Sequence, residues 1–285
     1  MLKRVGLFFL TNLLVVITVS LILNIVLPMF GIRLQNTTGL AIFCGIFGIS
    51  GAMISLFISR WAAKRAYNIE ILPEGDPLQR MVARLAREAG IPVPEVGVYH
   101  SPEPNAFATG PSKSSSLVAF STGLLDQMRD AEVEAVAAHE VSHVANGDMV
   151  TMALLTGVAN AFVMFFARIV AIGIDSFLSG DDDEGGLGFF GYIIVVMVLE
   201  SVFMMLAYIP IAAFSRWREF RADEGAARLT SNRSMANALA SLKNVRPYGR
   251  ESAAMALQKI SSPKRVSLWA THPSLDDRIA RLNAM

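Results

Sequence analysis

The sequence predicts a mostly helical α+β protein that combines four membrane-spanning helices with one folded domain outside the membrane. Its 285 residues are 53% hydrophobic and 17% charged, and soluble domains are typically only about 45–50% apolar. Four long apolar segments alternate with polar stretches, which together hold about 160 residues, enough for one domain. These stretches contain a few strand-like runs and then mostly helical patterns, which favours an α+β arrangement.

The first two apolar segments, residues 5–30 and 39–58, predict an N-terminal transmembrane hairpin within residues 5–60. Each is long enough for a helix that crosses a bilayer, which takes about 20 residues. The first run is longer than a signal-peptide core and no A-x-A-like cleavage site follows it, so we expect an uncleaved anchor. Basic residues flank the outer ends of the hairpin, whereas its link carries only Arg33. This distribution places both ends in the cytoplasm.

The third and fourth apolar segments, residues 151–178 and 189–214, predict a second transmembrane hairpin over residues 151–214. Their link contains four acidic residues and no basic ones, which again places the link outside and the flanks inside. Arg168 and Glu200 lie within these segments, and a partly re-entrant hairpin is therefore the alternative. We expect the two charges to face protein, water or each other.

Residues 62–150 and 215–285 are predicted to form one cytoplasmic domain that the second hairpin interrupts. Because the chain leaves and re-enters this domain, residues on either side of the hairpin can share a site. Its first helix is predicted to begin at Pro77, after the N-cap Asp76, and to be closed by Gly90. The other predicted elements are strands at 94–100, 105–108 and 116–120, and helices at 131–146, 219–229, 231–245 and 274–282.

The most informative motif is the pentapeptide from His139 to His143, which reads H-E-x-x-H within a predicted helix. Residues four apart share one helix face, so the two imidazoles can reach one zinc ion. Glu140 lies on the flank of that face, where it can take a proton from a water molecule that the metal has acidified. We expect Asp130 as the N-cap of this helix and Gly147 as its C-terminal stop. The motif therefore indicates metal-assisted hydrolysis of an amide.

The third metal ligand is not determined by this motif, although catalytic zinc sites usually have three protein ligands and one open position. The candidates are His100, His272 or a carboxylate. Glu219 and Asp223 lie four residues apart on a predicted helix and so share one face. Glu219 can ligate the metal while Asp223 accepts the N–H of a ligating histidine, which holds the imidazole in place.

Five short motifs carry a resemblance to a known family. The sequence is similar to the HtpX-type membrane zinc metallopeptidases, within the broader family that includes the CAAX-prenyl proteases. The resemblance covers essentially the whole chain and includes the order of apolar segments. The motifs are Pro104-Asn105-Ala106-Phe107-Ala108, the pentapeptide from His139 to His143, Ala145-Asn146-Gly147-Asp148, Arg218-Glu219-Phe220-Arg221-Ala222-Asp223 and Thr271-His272-Pro273.

The resemblance implies a role for four of these five motifs within a gluzincin-like cytoplasmic domain. It implies that His139, His143 and Glu219 hold one zinc ion and that Glu140 acts as general base and acid. It suggests that His272 or Arg221 helps to stabilise the oxyanion, whereas His100 receives no role and is expected to be structural. The edge strand against which an extended substrate pairs would comprise Asn105, Ala106, Phe107 and Ala108.

The function implied is a multi-pass zinc endopeptidase of the bacterial cytoplasmic membrane that cleaves misfolded or damaged membrane proteins on the cytoplasmic side, in quality control and stress response. A CAAX-prenyl-type peptidase, a non-enzymatic scaffold with structural zinc, and a transporter that uses Arg168 and Glu200 are the alternatives. A net charge of +1 offers no electrostatic basis for binding nucleic acid. Cys44 is the single cysteine, which excludes an intrachain disulfide and a zinc cage of several cysteines. Natural substrates and oligomeric state are not determined by the sequence.

Overall fold

The computed structural model describes residues 22, 29, 37–179, 186–244 and 269–285, which form parts of two compact units. The elements in chain order are α1 (Thr37–Ala66), β1 (Glu70–Ile71), α2 (Pro77–Glu88), β2 (Glu95–Tyr99), β3 (Ala106–Ser112), β4 (Ser115–Ser121), α3 (Thr122–Gln127), α4 (Asp130–Asn146), α5 (Asp148–Ser179), α6 (Gly188–Leu229), α7 (Asn232–Asn244) and α8 (Leu275–Asn283). The chain is thus mostly helical with a small sheet, in agreement with the predicted class.

Three of these helices, α1, α5 and α6, are long and apolar enough to cross a membrane. They contain the second, third and fourth apolar segments of the sequence. The first predicted span, residues 5–30, lies outside the described residues except for Ile22 and Met29. Three candidate membrane helices are therefore present in the described part of the chain, and the predicted count of four stays a prediction.

The first compact unit comprises the described residues of 1–52 and 156–208, most of which lie within these long helices. Apolar side chains such as Cys44 and Val196 are buried inside it. Arg168 and Glu200 are also buried, and the Arg168 Nη1 atom donates to Glu200 Oε1 over 2.6 Å. The two charges therefore face each other, as expected, because an ion pair lowers the cost of placing them among apolar helices.

The second compact unit comprises the described residues of 53–155 and 209–285 and contains the sheet. The strand order is β1-β2-β4-β3, with β2 and β4 parallel and the outer pairs antiparallel. Within the described part of the chain, β3 therefore forms one edge of the sheet. Its pairing with β4 becomes irregular between Thr109 and Ser112, so the regular edge is confined to its first residues. The hydrophobic core lies among α2, α4, α7, α8 and β4.

Several predicted boundaries are confirmed to within a residue or two. Asp76 caps α2, since its carboxylate accepts the N–H of Leu78 over 2.8 Å. The short strand β1 and helix α3 were not predicted. Asp130 was expected as the N-cap of α4, but this was wrong: Arg129 is the N-cap and its backbone N–H donates to Glu132 Oε2 over 3.0 Å. Asp130 is instead the first helical residue.

Candidate metal centre

Helix α4 carries the two histidines and the glutamate of the H-E-x-x-H motif, and all three side chains are buried. The alanine and valine side chains of α4 pack into the hydrophobic core, and this packing fixes the rotation of the helix about its axis. The helix ends at Gly147, whose φ of 70° lies in the left-handed region that glycine adopts without strain. That turn ends α4 one helical turn after His143 and places Asp148 beside it.

Helix α6 brings Glu219 close to these histidines. It approaches α4 closely because Gly225 has no side chain: a Cβ atom there would lie 2.5 Å from the Ser142 Oγ atom. Glu219 is buried, with 1% of its surface exposed, on the face of α6 that contacts α4. Close helix packing thus converts two sequence motifs 76 residues apart into one site.

The donor atoms of His139, His143 and Glu219 form a compact triangle that could hold a metal ion. The two Nε2 atoms are 3.2 Å apart, and the carboxylate oxygens of Glu219 lie 3.6 Å from His139 Nε2 and 3.4 Å from His143 Nε2. Ligands bound at about 2.0–2.1 Å around a tetrahedral ion lie roughly 3.3 Å from one another. The spacing of these three side chains therefore fits a metal ion.

Each histidine is oriented by a second carboxylate on its other ring nitrogen. Asp223 Oδ1 lies 3.0 Å from His139 Nδ1, and Asp148 Oδ2 lies 2.6 Å from His143 Nδ1. If each Nδ1–H donates to its carboxylate, both Nε2 lone pairs point towards the same place. Two lone pairs 3.2 Å apart repel each other unless a cation lies between them, which again fits a metal site.

The electrostatics of the site favour positive charge. Burial by itself would lower the pKa of His143, but the nearby Glu219 and the hydrogen bond that His143 donates to Asp148 outweigh burial and raise this pKa to about 9. Burial likewise opposes protonation of His139, and the carboxylates of Asp223 and Glu219 overcome it and raise the pKa. The protein groups around the two imidazoles are thus arranged to stabilise a cation.

Arg278 is a site residue that sequence reasoning missed. Its side chain is fully buried on α8, and its Nε and Nη2 atoms donate to the two carboxylate oxygens of Asp223 over 2.8 and 2.6 Å. Its Nη1 atom lies 3.5 Å from Glu219 Oε2. Burial disfavours the charged guanidinium, yet Asp223 and Glu219 outweigh this and raise the pKa of Arg278. The available signal was its position in α8, three residues after Leu275 and four before Leu282, which places a charged residue on the apolar face of the helix.

His272 lies at the site, whereas His100 does not. The Nδ1 atom of His272 is 3.0 Å from Glu219 Oε2, and its side chain lines a cleft of about 460 Å³ together with His139 and Glu140. His100 is exposed just after β2 and is absent from the described lining of that cleft. Of the two further histidines in the sequence, the structure thus brings only His272 to the metal-binding residues.

Arg221 does not enter the cleft. Its side chain is exposed, its guanidinium stacks over the Trp217 ring at 4.8 Å, and it donates to Asn146 Oδ1 over 3.4 Å. On α6 it points away from Glu219, because residues two apart lie about 200° around a helix. The expected oxyanion contact from Arg221 is therefore not supported by its position. Arg218 instead lines the cleft, with its Nη2 atom 3.8 Å from Glu219 Oε1.

The strand predicted to receive substrate, β3, borders the same cleft. Ala106, Phe107 and Ala108 line it, whereas Asn105 is buried and donates through its Nδ2 atom to the Tyr99 hydroxyl over 3.0 Å. The Asn105 carbonyl accepts the N–H of Ser121 on β4. Along an antiparallel pair, the backbone N–H and C=O groups of successive residues point alternately towards and away from the partner strand. Because those of Asn105 point towards β4, those of Ala106 and Ala108 point away from it. They are available to pair with an added strand.

Comparison with known proteins places these motifs in a family. The sequence pattern described as "Peptidase family M48" matches residues 74–285. The chain is 50% identical over 293 residues to Protease HtpX of Shewanella sp. strain W3-18-1, with 99% of each chain covered. It is 49% identical, with the same coverage, to Protease HtpX of Shewanella oneidensis strain MR-1.

The fold also resembles a solved structure, the crystal structure of S. mikatae Ste24p. The TM-score is 0.67 at 19% sequence identity, and the match covers 94% of this chain. The chain spans 62% of the length of that structure. At this level of identity the similarity concerns the fold.

Proposed function

The chain belongs to peptidase family M48 as an HtpX-type metalloprotease, and we propose that it is a zinc endopeptidase embedded in the bacterial cytoplasmic membrane. Its protease domain would comprise residues 62–150 and 215–285, with the active site and both termini on the cytoplasmic side. Its substrates would be misfolded or damaged membrane proteins, degraded in quality control and stress response.

One observation supports this proposal most strongly: three metal donors and an adjacent glutamate line a cleft that has an available strand edge. Among the described residues, the group that could hold a metal ion comprises two histidines and one carboxylate, which matches catalytic zinc rather than a closed structural cage of four ligands. Zinc in particular is proposed from this ligand type. A strand edge binds only a polypeptide that is extended, which fits unfolded segments as substrates.

In the proposed mechanism, each protein group has a distinct task. A zinc ion held by His139, His143 and Glu219 would polarise the scissile carbonyl and lower the pKa of a water molecule. Glu140, which follows His139 on α4 and lines the cleft, would take the proton of that water and deliver it to the leaving nitrogen. Asp223 and Asp148 hold the imidazoles so that their Nε2 atoms stay aligned.

The oxyanion of the tetrahedral intermediate requires a hydrogen-bond donor or a cation in the cleft. His272 is proposed for this role, because it lines the cleft and lies against Glu219. Arg218 is a second cation on the cleft wall, and its side chain is 21% exposed. Arg221 is not proposed for this role, given its position on the opposite side of α6.

The experiment that tests the function is proteolysis by the detergent-purified, zinc-loaded protein. Glu140→Gln should lower the cleavage rate of an unfolded model protein by at least about 100-fold, the usual contribution of a general base, while the zinc content stays near one per chain. Glu134→Gln, the same substitution on the same helix outside the cleft, is the matched control and should cleave like wild type. Equal rates for Glu140→Gln and wild type would disprove the role of Glu140. A farnesylated CAAX peptide, included in the same assay, separates a prenyl-type peptidase from the proposed activity.

A further inference from the structure

The last two turns of α1 border the cleft with unusually small side chains. The small residues that line the cleft recur at helical spacing, and the residues between them are large. The small residues are Ser59, Ala62, Ala63 and Ala66. Among those large residues, Lys64 points away to Glu95, whose Oε2 atom lies 2.6 Å from Lys64 Nζ. Small side chains on an inward helix face usually allow a neighbouring backbone to pack closely, but here they border open volume.

Two aromatic rings bound the same volume. Tyr67 follows directly after Ala66, and its ring centroid lies 5.3 Å from that of Phe107 on β3. Tyr99 packs against both rings, at 5.2 and 5.8 Å, and accepts the side-chain N–H of Asn105. This anchored aromatic cluster fixes the position of Phe107. An apolar wall thus runs from the alanines of α1 to the substrate-binding edge of the sheet.

The geometry of strand addition determines which substrate side chain meets this wall. Side chains of a substrate strand paired with β3 alternate between the two faces of the sheet. The substrate residue opposite Phe107 projects on the same face as Phe107, towards Tyr67 and the small side chains of α1. The cleft, at about 460 Å³, is within the range of about 300–1,000 Å³ found for ligand pockets.

A second feature of the cleft is that the proposed metal-binding group lies in it beside the apolar wall. The Glu219 Oε1 atom is buried and has no hydrogen-bond partner among the described residues, and Glu219 lines the same cleft. The reacting centre and the alanine wall therefore belong to one cavity. A side chain on that wall lies close to the bond that is cleaved.

We propose, on the premise of the peptidase activity above, that Ala62, Ala63 and Ala66 together with Tyr67 and Phe107 form a specificity pocket for a large apolar side chain next to the scissile bond. The substrates selected are extended segments that carry phenylalanine, leucine or methionine at that position. Such residues are buried in folded domains and exposed in unfolded ones. The pocket thereby restricts cleavage to chains that have lost their structure.

The test uses the zinc-loaded full-length protein and quenched peptides that differ at one position. Each of the two positions that flank the cleaved bond carries Gly, Ala, Leu or Phe in turn. Wild type should prefer Phe or Leu over Ala by about tenfold or more in kcat/KM at one position. Ala63→Leu, which fills the pocket and favours helix, should lower kcat/KM for that Phe peptide by about tenfold or more and for the Ala peptide by less than about threefold.

Matched controls keep the outcome interpretable. Ala131→Leu makes the same substitution at an exposed position of α4 outside the cleft and should leave the preference unchanged. Ala62→Leu is a second filling variant, and the zinc content of each variant reports an intact site. An unaltered preference in both filling variants, or an equal loss for all peptides, overturns the pocket. If wild type cleaves neither the peptides nor an unfolded protein, the proposed peptidase function fails and the pocket fails with it.

Discussion

Replacement of Arg278 by methionine tests whether the carboxylates around the metal site depend on a buried cation. Methionine keeps much of the volume of the side chain but removes its charge. Arg278 is fully buried, and two of its nitrogens bind the Asp223 carboxylate at 2.8 and 2.6 Å. The substitution therefore leaves the carboxylate of Asp223 buried, and the imidazole of His139 is then its remaining partner.

The expected magnitude follows from these contacts. Removing one partner of a buried ion pair costs about 3–5 kcal/mol, because the other charge stays desolvated. In a domain of this size each kcal/mol lowers the melting temperature by roughly 2–4 °C, so Arg278→Met should lower it by roughly 6–20 °C. The loss of orientation at Asp223 and His139 should weaken zinc binding by about 10–100-fold.

Thermal unfolding in detergent and zinc competition with a chelating dye measure these two effects. Arg281→Met is the matched control on the same helix: Arg281 is half exposed and pairs with Glu224 at 2.7 Å, so its loss should cost no more than about 1 kcal/mol. In the double variant with Asp223→Asn the two costs should fall short of additivity by about 0.5–3 kcal/mol. Equal melting temperatures for Arg278→Met and Arg281→Met, or strict additivity in the double variant, would refute the reasoning.

Three further predictions follow from other contacts. Hydrogen bonds from Arg129 hold the pKa of Glu132 at about 2, so Glu132→Gln should lower the free energy of unfolding by about 1–2 kcal/mol at pH 7. A carboxyl group whose pKa is lowered by folding stabilises the fold at pH values above its pKa in the unfolded chain, which is about 4.3 for glutamate. The difference in unfolding free energy between wild type and Glu132→Gln, measured by denaturant titration, should therefore shrink as the pH falls towards 2. A difference that stays constant with pH would contradict this prediction. Asp148→Asn should weaken zinc binding by about 10–100-fold while its helix stays folded, measured by chelator competition and circular dichroism; unchanged affinity would exclude the role of Asp148. Gly225→Val should separate α6 from α4, because its Cβ would lie 2.5 Å from the Ser142 Oγ atom, and should abolish stoichiometric zinc binding. Gly173→Val, at an open position on helix α5, is the matched control and should retain zinc.

The sequence was sufficient for the local features of the site. The spacing of His139 and His143 places them on one helix face whatever surrounds the helix, and the same holds for Glu219 and Asp223. The helix ends at Asp76 and Gly147 were also predictable, because capping depends on a few neighbouring residues. The N-cap of α4 was assigned to Asp130 in error, since an acidic residue at the first helical position and a capping residue look alike in sequence.

Long-range features required the tertiary structure. The buried cation Arg278 lies between Leu275 and Leu282 on the apolar face of α8, but only the packing of this helix brings it to Asp223. Arg218 was not predicted as a site residue, and only the packing of α6 shows that its side chain lines the cleft. The two-residue strand β1 has no periodic pattern and exists through its pairing with β2.

The sequence by itself thus determined the family, the apolar segments, the metal-binding motifs and the helix faces on which they lie, because each depends on residues a few positions apart. The tertiary structure alone decided which carboxylate orients each histidine, that Arg278 pairs with Asp223, and that small side chains of α1 leave an open pocket opposite Phe107. These features depend on the close approach of elements distant in sequence, which no local pattern records.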